Sequence, residues 1–239
     1  MQSLTLYTLS LVIVLIYTTI LFFIAQKKKD NSIIDIAYGI GFIVTAYTLA
    51  IIRLTMSPLS IYSFLILVLI TIWGVRLSYR IYQKNKGKPE DFRYAQWRLE
   101  WKKRGNLCYI ARSYIQIFAL QGFVISIVLL PFTLSLSLYG LPTNFVWIAV
   151  LVWMVGFFFE VLGDKQLDTF IKDPNKKSTI MQTGLWKYTR HPNYFGESTM
   201  WWGLALIALI GSSSILVVLS PILITYLLLF VCITYKYYF

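Results

Sequence analysis

Long apolar runs separated by short polar segments dominate this chain of 239 residues. A transmembrane helix needs roughly 20 consecutive apolar residues to cross the hydrocarbon core of a bilayer. Several runs approach or exceed that length, so the pattern predicts an all-α, polytopic transmembrane bundle of about seven helices. The predicted spans are about residues 4–25, 33–52, 59–79, 112–138, 144–163, 197–211 and 213–235. We expect one integral membrane domain covering residues 1–239.

The composition supports a membrane protein, because 58% of the residues are hydrophobic and only 13% are charged. The basic residues near the N-terminus come after the first apolar run, whereas in a signal peptide they come before it. No small-residue cleavage site follows the run. We therefore predict a retained first helix and not a signal peptide. Cys108 and Cys232 lie far apart without His or Cys partners at metal-binding spacing, so neither a disulfide framework nor a metal site is predicted.

The formal net charge of +12 falls almost entirely in alternate polar segments. Lys and Arg follow the first, third, fifth and seventh predicted spans, whereas the opposite segments carry only Arg53. This alternation follows the positive-inside rule, so it indicates membrane topology and not nucleic-acid binding. We expect an outward N-terminus, a cytosolic C-terminus, and loops 80–111 and 164–196 on the cytosolic side. The membrane would be a bacterial inner membrane or, in a eukaryote, the endoplasmic reticulum.

Three carboxylates lie near the end of the fifth predicted span and just beyond it. Glu160, Asp164 and Asp168 follow one another at intervals of four residues, which places them on one helical face. A solvated helical extension beyond the membrane edge would account for Asp164 and Asp168. Glu160 lies deeper, and a carboxylate inside a membrane helix is costly enough to indicate a functional site or a buried partner. A cation from residues 184–190 is the candidate partner.

The sequence "GLWKYTRHPNYFGE", residues 184–197, precedes the sixth apolar run. Pro192 suits the first turn of a helix, where its missing N–H costs nothing. Arg190 stands just before that turn, and a helix N-terminus beside a cation is a natural site for phosphate. This segment therefore predicts an anion-binding helix start.

The same segment supplies donors and stacking faces from Tyr188, His191, Asn193 and Tyr194. His191 would serve as a catalytic base that titrates near neutral pH, or as a hydrogen-bonding ligand to phosphate. An interfacial belt is the alternative; it accounts for the nearby Trp and Lys residues but not for His191, Asn193 and Glu197 together. No GxGxxG motif follows a strand, so a Rossmann cofactor domain is not predicted.

The motif "GLWKYTRHPNYFGESTMWWG", preceded by "GDKQLDTFIKDPN", resembles the C-terminal domain of the steroid 5-alpha-reductase superfamily. It is more closely similar to the small seven-helix members called the DUF1295 group, as are residues 71–94 and 114–122. The resemblance covers about residues 30–225. A related RHPxYxG core occurs in isoprenylcysteine carboxyl methyltransferases and sterol reductases, and Glu197 directly after Gly196 is similar to the reductases.

The resemblance implies a membrane reductase that binds NADPH from the cytosolic side, with the cofactor-binding half at about residues 144–225. The residues that would contact the cofactor are Asp164, Tyr188, Asn193, Tyr194, Glu197 and Trp201, with Arg190 and His191 facing its phosphates. Two positions depart from the reductase pattern. The chain closes on "TYKYYF" where the reductases carry a longer basic tail, and Ile117 and Phe118 occupy a region where the steroid enzymes have an Asn.

Asp35 and Tyr38 are the candidate catalytic residues, one turn apart in "SIIDIAYGIG". A conjugated carbonyl needs a donor, and a Tyr hydroxyl assisted by a carboxylate would serve. The alternative is a structural role, in which Asp35 caps the helix or pairs with Arg76 or Arg80.

Three hypotheses follow from the sequence. The favoured one is an NADPH-dependent reductase of a lipophilic enone or alkene, steroid-like or polyprenoid-like, which works in the bilayer with a small-molecule substrate and no nucleic acid. The alternatives are an S-adenosylmethionine-dependent methyltransferase and a catalytically silent membrane protein. The oligomeric state is left open.

Overall fold

The computed structural model describes residues 3–137, 143–173, 179–211 and 214–232. The described residues contain helices and no strand. Five helices are long and apolar enough to cross a membrane, which confirms the predicted all-helical membrane class. The described α-helices are α1 (Ser3–Lys28), α2 (Ile33–Leu54), α3 (Ile61–Asn85), α4 (Phe92–Lys103), α5 (Asn106–Arg112), α6 (Leu120–Val128), α7 (Leu130–Ser135), α8 (Phe145–Lys172), α9 (Pro192–Gly211) and α10 (Leu219–Tyr226).

Five predicted spans correspond to the five long apolar helices, which are α1, α2, α3, the segment Asn106–Val128 and α8. The sixth predicted span corresponds to α9, and the seventh to the shorter apolar helix Ile215–Phe230. The number of crossings and their sidedness stay predictions. Lys176, Lys177 and residues 233–239, which the topology prediction also used, lie outside the described residues.

The fourth predicted span differs from its expected extent. The helix begins earlier, at Asn106, and runs to Val128 through a π-helical stretch at Ser113–Ala119. It is interrupted at Leu129, and Pro131 then lies in the first turn of α7. Because proline lacks a backbone N–H, it suits that first turn and not the middle of a continuous helix.

The chain divides into two compact units, Met1–Tyr139 and Gly140–Phe239. The predicted cofactor-binding half, about residues 144–225, falls within the second unit. The assignment of the whole chain to one integral membrane domain stays a prediction.

In the first unit, small residues allow α2 and α3 to approach closely. A Cβ atom on Gly74 would lie 2.8 Å from the Gly39 carbonyl oxygen, and one on Gly39 would lie 2.7 Å from Ser78 Oγ. Contacts this short leave room only for hydrogen at those positions. Small residues at helix interfaces are typical of membrane bundles, because lipid does not drive apolar helices together.

Helix α4 lies outside the predicted spans, in the segment expected to be a loop. Asp91 caps it, because its side chain accepts a hydrogen bond from the Arg93 N–H at 3.0 Å. Tyr94 and Trp101 bury one face of α4 against apolar side chains of α1, α2 and the π-helical stretch. The helix ends before Gly105, whose φ of +105° few other residues adopt.

Large apolar side chains on the long helices are exposed in both units. Examples are Ile16 and Phe23 on α1, Ile51 on α2, and Leu151 and Phe158 on α8. Exposed apolar faces on helices of this length fit a lipid environment. The length of these helices and their exposed apolar faces therefore indicate an integral membrane protein.

Candidate functional site

The polar site of the second unit is the α8–α9 corner, which we define as Glu160, Gly163 and Asp164 of α8 with Pro192, Asn193 and Gly196 of α9. Glycine residues allow the two helices to pack closely there. A Cβ on Gly196 would lie 2.5 Å from the carbonyl oxygen of Gly156, and one on Gly156 would lie 2.6 Å from the Met200 N–H nitrogen. The two backbones therefore meet without intervening side chains.

Asp164 and Asn193 join the two helices in this corner. The Asn193 Nδ2 amide donates a hydrogen bond of 3.1 Å to Asp164 Oδ1. Asp164 is only 4% exposed, and Gly163 places the start of α9 against α8, since a Cβ there would lie 3.0 Å from the Asn193 nitrogen. The sequence analysis placed both residues at the predicted site, and the structure brings them into contact.

The oxygen of the Asn193 amide has unused hydrogen-bonding capacity. Asn193 Oδ1 is buried, and no described residue donates a hydrogen bond to it. A buried acceptor without a donor costs free energy, so native structures supply a partner from protein, water or ligand. The α8–α9 corner thus holds an acceptor available to a ligand donor.

Glu160 shares the buried face of α8 with Asp164, as the spacing of four residues predicted. Its side chain is only 3% exposed. Asp168, one turn further along α8, is half-buried. Both Asp164 and Asp168 belong to α8, which continues to Lys172. The helical extension predicted for Asp164 and Asp168 is therefore present, but Asp164 is buried and Asp168 is half-buried instead of fully solvated.

The segment before α9 forms a short 3-10 turn at Gly184–Lys187. Gly184 has a φ of +61°, and a Cβ there would lie 2.5 Å from Gln166 Nε2. Gln166 Oε1 accepts a hydrogen bond from the Leu185 N–H at 2.9 Å, and Trp186 Nε1 donates to the Gly163 carbonyl at 3.1 Å. These bonds hold the segment along α8.

An aromatic stack follows this turn. The His191 and Tyr194 rings lie 5.0 Å apart and nearly parallel, at 23°, while Trp186 meets His191 edge-on at 6.2 Å. Arg190, which precedes His191 in the sequence, is exposed. The polar face at the start of α9 therefore combines a cation with stacking rings.

The remaining predicted residues differ widely in exposure. Tyr188 is 83% exposed, whereas Trp201 is 1% exposed on α9. Glu197 is half-buried and lies one turn beyond Asn193. The sixth predicted span began at residue 197, whereas α9 begins at Pro192, so Glu197 falls in the second helical turn. The helix dipole therefore favours the Glu197 carboxylate little, since its effect fades within the first turn.

The predicted catalytic residues Asp35 and Tyr38 belong to the first unit, on α2. Asp35 Oδ1 accepts a hydrogen bond of 2.6 Å from the Tyr94 hydroxyl, and Asp35 Oδ2 pairs with Arg93 Nη2 at 3.2 Å. The Tyr38 ring packs edge-on against Phe42 at 5.2 Å. The cation beside Asp35 is therefore Arg93, which the sequence analysis did not anticipate.

Asp35 is one member of a set of polar residues centred on α4. Arg93 also bonds Asp91 through Nε at 2.9 Å. Arg98 binds Glu90 with two hydrogen bonds, of 3.0 and 2.7 Å, and Glu90 accepts a third from the Asn31 N–H at 2.7 Å. We call this set the α4 cluster; its members are Asp35, Glu90, Asp91, Arg93, Tyr94 and Arg98.

Charge pairing shifts the pKa values of the α4 residues. Burial and the negative charge of Asp35 raise the pKa of the Tyr94 hydroxyl well above its ordinary range. Burial alone would raise the pKa of Asp91, but hydrogen bonds and the positive charge from Arg93 hold it below its ordinary value. Burial opposes the charge on Arg98, yet its bonds to Glu90 raise its pKa. The shifts of Asp91 and Arg98 show that their opposite charges are stabilised by their partners, whereas Tyr94 is held neutral and donates to Asp35.

The sequence analysis missed the α4 cluster. The usable signal was in "GKPEDFRYAQWR", residues 87–98, where Asp91 stands before a run with aromatic residues at helical spacing. An acidic residue before such a run is typical of a helix N-cap. These residues were predicted instead to belong to the loop 80–111.

The fold and the α8–α9 corner together define a helical membrane protein with a buried polar site. A family model described as "Protein of unknown function (DUF1295)" matches residues 21–236, and the chain belongs to this family. The chain is also similar to an uncharacterized protein of Schizosaccharomyces pombe (strain 972 / ATCC 24843), at 28% identity over 170 residues. That alignment covers 61% of this chain and 48% of the relative, so the chain spans about half the length of the curated relative it matches. No solved structure is significantly similar to it.

Proposed function

We propose that the protein is a membrane reductase that binds NADPH at the α8–α9 corner and reduces a lipophilic enone or alkene. The proposal rests on the Asn193 amide. Its Nδ2 donates a hydrogen bond to Asp164, whereas its Oδ1 lies buried without a donor from the described residues. An acceptor of this kind suits a ligand that brings amide or hydroxyl donors. Family membership and the resemblance of residues 184–203 to the steroid reductases support it.

The side chains around the corner fit such a nucleotide. Arg190 is exposed beside the start of α9, where a phosphate gains from both the guanidinium and the helix N-terminus. The stacked His191 and Tyr194 rings offer an aromatic face. When bound, the nicotinamide supplies the hydride, and the protein supplies binding and orientation. In this proposal Asp164 positions Asn193, and Asn193 orients the ligand.

The substrate part of the proposal rests on the apolar helices and on Asp35 and Tyr38. Hydrogen-bond donation to the carbonyl oxygen would polarise the conjugated double bond. Tyr38 supplies that donor in the proposal, while Asp35 is engaged by Arg93 and Tyr94. The corresponding test is consumption of NADPH in the presence of steroid-like and polyprenoid-like enones. Tyr38→Phe should lower kcat with little change in NADPH affinity.

The cofactor assignment is tested by dissociation constants for NADPH, NADH and S-adenosylmethionine, measured on the purified full chain in nanodiscs. A hydrogen bond to a charged group is worth about 1.5–3 kcal/mol, so NADPH should bind roughly tenfold to a hundredfold more tightly than NADH. Arg190→Gln should reduce this ratio towards one. Lys165→Gln, which removes an exposed cation from α8, is the matched control and should retain the ratio.

Three results would overturn the proposal. Equal affinities for NADPH and NADH in the wild type would remove the role of Arg190 as a phosphate ligand. Tighter binding of S-adenosylmethionine than of either nucleotide would assign the corner to a methyltransferase. Binding of none of the three by the folded protein would exclude this cofactor class.

A further inference from the structure

A second polar feature lies in the first unit, where α4 meets α5. A cavity of about 240 Å³ opens there, lined by Glu100, Trp101, Lys103, Arg104 and Arg112. Three cations face one carboxylate around it, which leaves a local excess of two positive charges. None of the residues that line the cavity is one to which the proposed reductase activity is assigned.

The cations of this cavity differ from those of the neighbouring α4 cluster. Arg93 and Arg98 of that cluster are bound to carboxylates at 2.7–3.3 Å. In the described part of the chain, no ion pair involves Lys103, Arg104 or Arg112. Cations held together without anionic partners repel one another, so an external anion would stabilise the arrangement.

The cavity has a fixed frame. Trp101 is buried and stacks on Trp97, with ring centroids 5.8 Å apart at 16°. Tyr109 of α5 is buried as well, and the cations of Arg98 and Lys102 each lie 5.3 Å from its ring centre. The backbone of Gly105, with its positive φ, turns the chain between the two helices. The three cations are therefore presented by a packed corner and not by a free loop.

The position along the chain places this corner at a membrane surface. Asn106, two residues after Arg104, begins the apolar helix Asn106–Val128, which is long enough to cross a bilayer. Arg112 lies six residues into that helix, at about 9 Å along its axis by the helical rise. Large apolar side chains beside the cavity are exposed; Leu107 is 81% exposed and Leu99 is 65% exposed. Apolar side chains next to unpaired cations are typical of contact with the headgroup region.

We propose that this corner is a binding site for the phosphate headgroup of an anionic phospholipid. Lys103, Arg104 and Arg112 bind the phosphate, Trp101 forms the wall, and Leu107 lies among the acyl chains. Basic pockets at the ends of membrane helices recognise anionic headgroups through the same combination of charge and depth. Glu100 opposes the anion and weakens the site.

The experiment measures lipid binding to the purified full-length protein by native mass spectrometry, with phosphatidylglycerol and phosphatidylcholine of equal chain length. The wild type should bind phosphatidylglycerol at least about tenfold more tightly, since each cation near an anionic surface contributes appreciably. Replacement of the three cavity cations by Gln should abolish the preference. Glu100→Gln should strengthen it, which a general loss of structure could not do.

A matched control removes three cations elsewhere. Lys84, Lys86 and Lys88 are exposed just before α4 and do not line the cavity, so their replacement by Gln should leave the lipid preference unchanged. Equal losses in the two triple variants would show a diffuse charge effect and overturn the site. Inorganic phosphate is the second arm. If it displaced phosphatidylglycerol at millimolar concentration, the site would belong to free phosphate and the lipid assignment would be wrong.

Discussion

The α4 cluster and the α8–α9 corner contain similar groups, but they differ in how completely their hydrogen bonds are made. In the α4 cluster, both oxygens of Asp35 and Glu90 accept bonds, and the donors are arginine and tyrosine side chains and the Asn31 N–H. In the α8–α9 corner, Asn193 reaches Asp164 yet retains a buried acceptor without a described donor.

This contrast separates a structural polar site from a ligand site. A network whose partners are complete fixes the position of a helix, because each lost bond leaves a buried group unsatisfied. A site whose buried acceptor lacks a protein donor can bind a ligand that supplies one, and it contributes less to the stability of the fold. We therefore expect substitutions in the α4 cluster to affect the fold and those in the α8–α9 corner to affect binding.

The largest expected effect comes from filling the glycine contact that forms the corner. Gly196→Ala places a Cβ against the α8 backbone, including the Gly156 carbonyl oxygen at 2.5 Å. Overpacking usually costs about 1–3 kcal/mol, and contact with backbone is harder to relieve than contact with a side chain. The measurement is the thermal unfolding midpoint in detergent. Gly163→Ala, whose nearest atom lies at 3.0 Å, should lower that midpoint less; equal shifts would contradict the packing described.

The next effect tests the completeness of the α4 cluster. Tyr94→Phe removes the donor to Asp35 Oδ1 and leaves a charged acceptor with one partner fewer, at a cost of about 1.5–3 kcal/mol. Chemical unfolding of the purified protein measures the loss. Tyr79→Phe is the control, because the Tyr79 hydroxyl lies on an exposed face and accepts, among the described residues, a hydrogen bond from Gln83. Its change should stay within about 0.5 kcal/mol. Similar losses for both tyrosines would remove the structural role of the cluster.

A smaller loss of stability is expected in the corner. Asn193→Ala removes the bond to Asp164, but it also removes the buried Oδ1 that lacks a described donor. The two consequences oppose each other, so the net cost should be about 1 kcal/mol or less. The same unfolding measurement applies. A loss greater than that of Tyr94→Phe would reverse the comparison between the two sites.

The smallest effect concerns pH. The pKa of Asp91 is lower in the folded protein than in the unfolded chain, so its ionised form stabilises the fold above the unfolded value of about 4. That stability is lost as the pH falls through the folded pKa. Asp91→Asn keeps a capping side chain but removes the charge. Unfolding midpoints from pH 3 to pH 8 should show a constant gap between wild type and variant above about pH 5, and a gap that closes below about pH 4. A gap that widens in acid would show the opposite sign.

The apolar pattern predicted most of the fold, and the local motif predicted part of the site. Runs of apolar residues identified the long helices because bilayer thickness sets their length. The RHPNYFGE segment led to Asn193, and helical spacing led to Asp164, which the structure joins. Both inferences used short-range geometry.

What could not be predicted depends on contacts between residues distant in sequence. Arg93 lies 58 residues from Asp35 and Tyr94 lies 59, and no local pattern pairs them. Helix α4 is short and polar, so its sequence alone predicts a loop. Burial of Tyr94 and Trp101 against other helices stabilises it. The break at Leu129, in contrast, has a local cause, since Pro131 lies in the first turn of α7 and cannot continue a helix.

The most direct test of the account is the NADPH dissociation constant of two variants, Asn193→Ala and Tyr94→Phe, measured with the folded full-length protein in nanodiscs. The account predicts that Asn193→Ala weakens NADPH binding by about tenfold or more, because an orienting hydrogen bond is lost. It predicts that Tyr94→Phe lowers stability but leaves the dissociation constant within about twofold, well under the tenfold that 1.4 kcal/mol represents. Unchanged NADPH binding by Asn193→Ala, together with loss of binding by Tyr94→Phe, would contradict it.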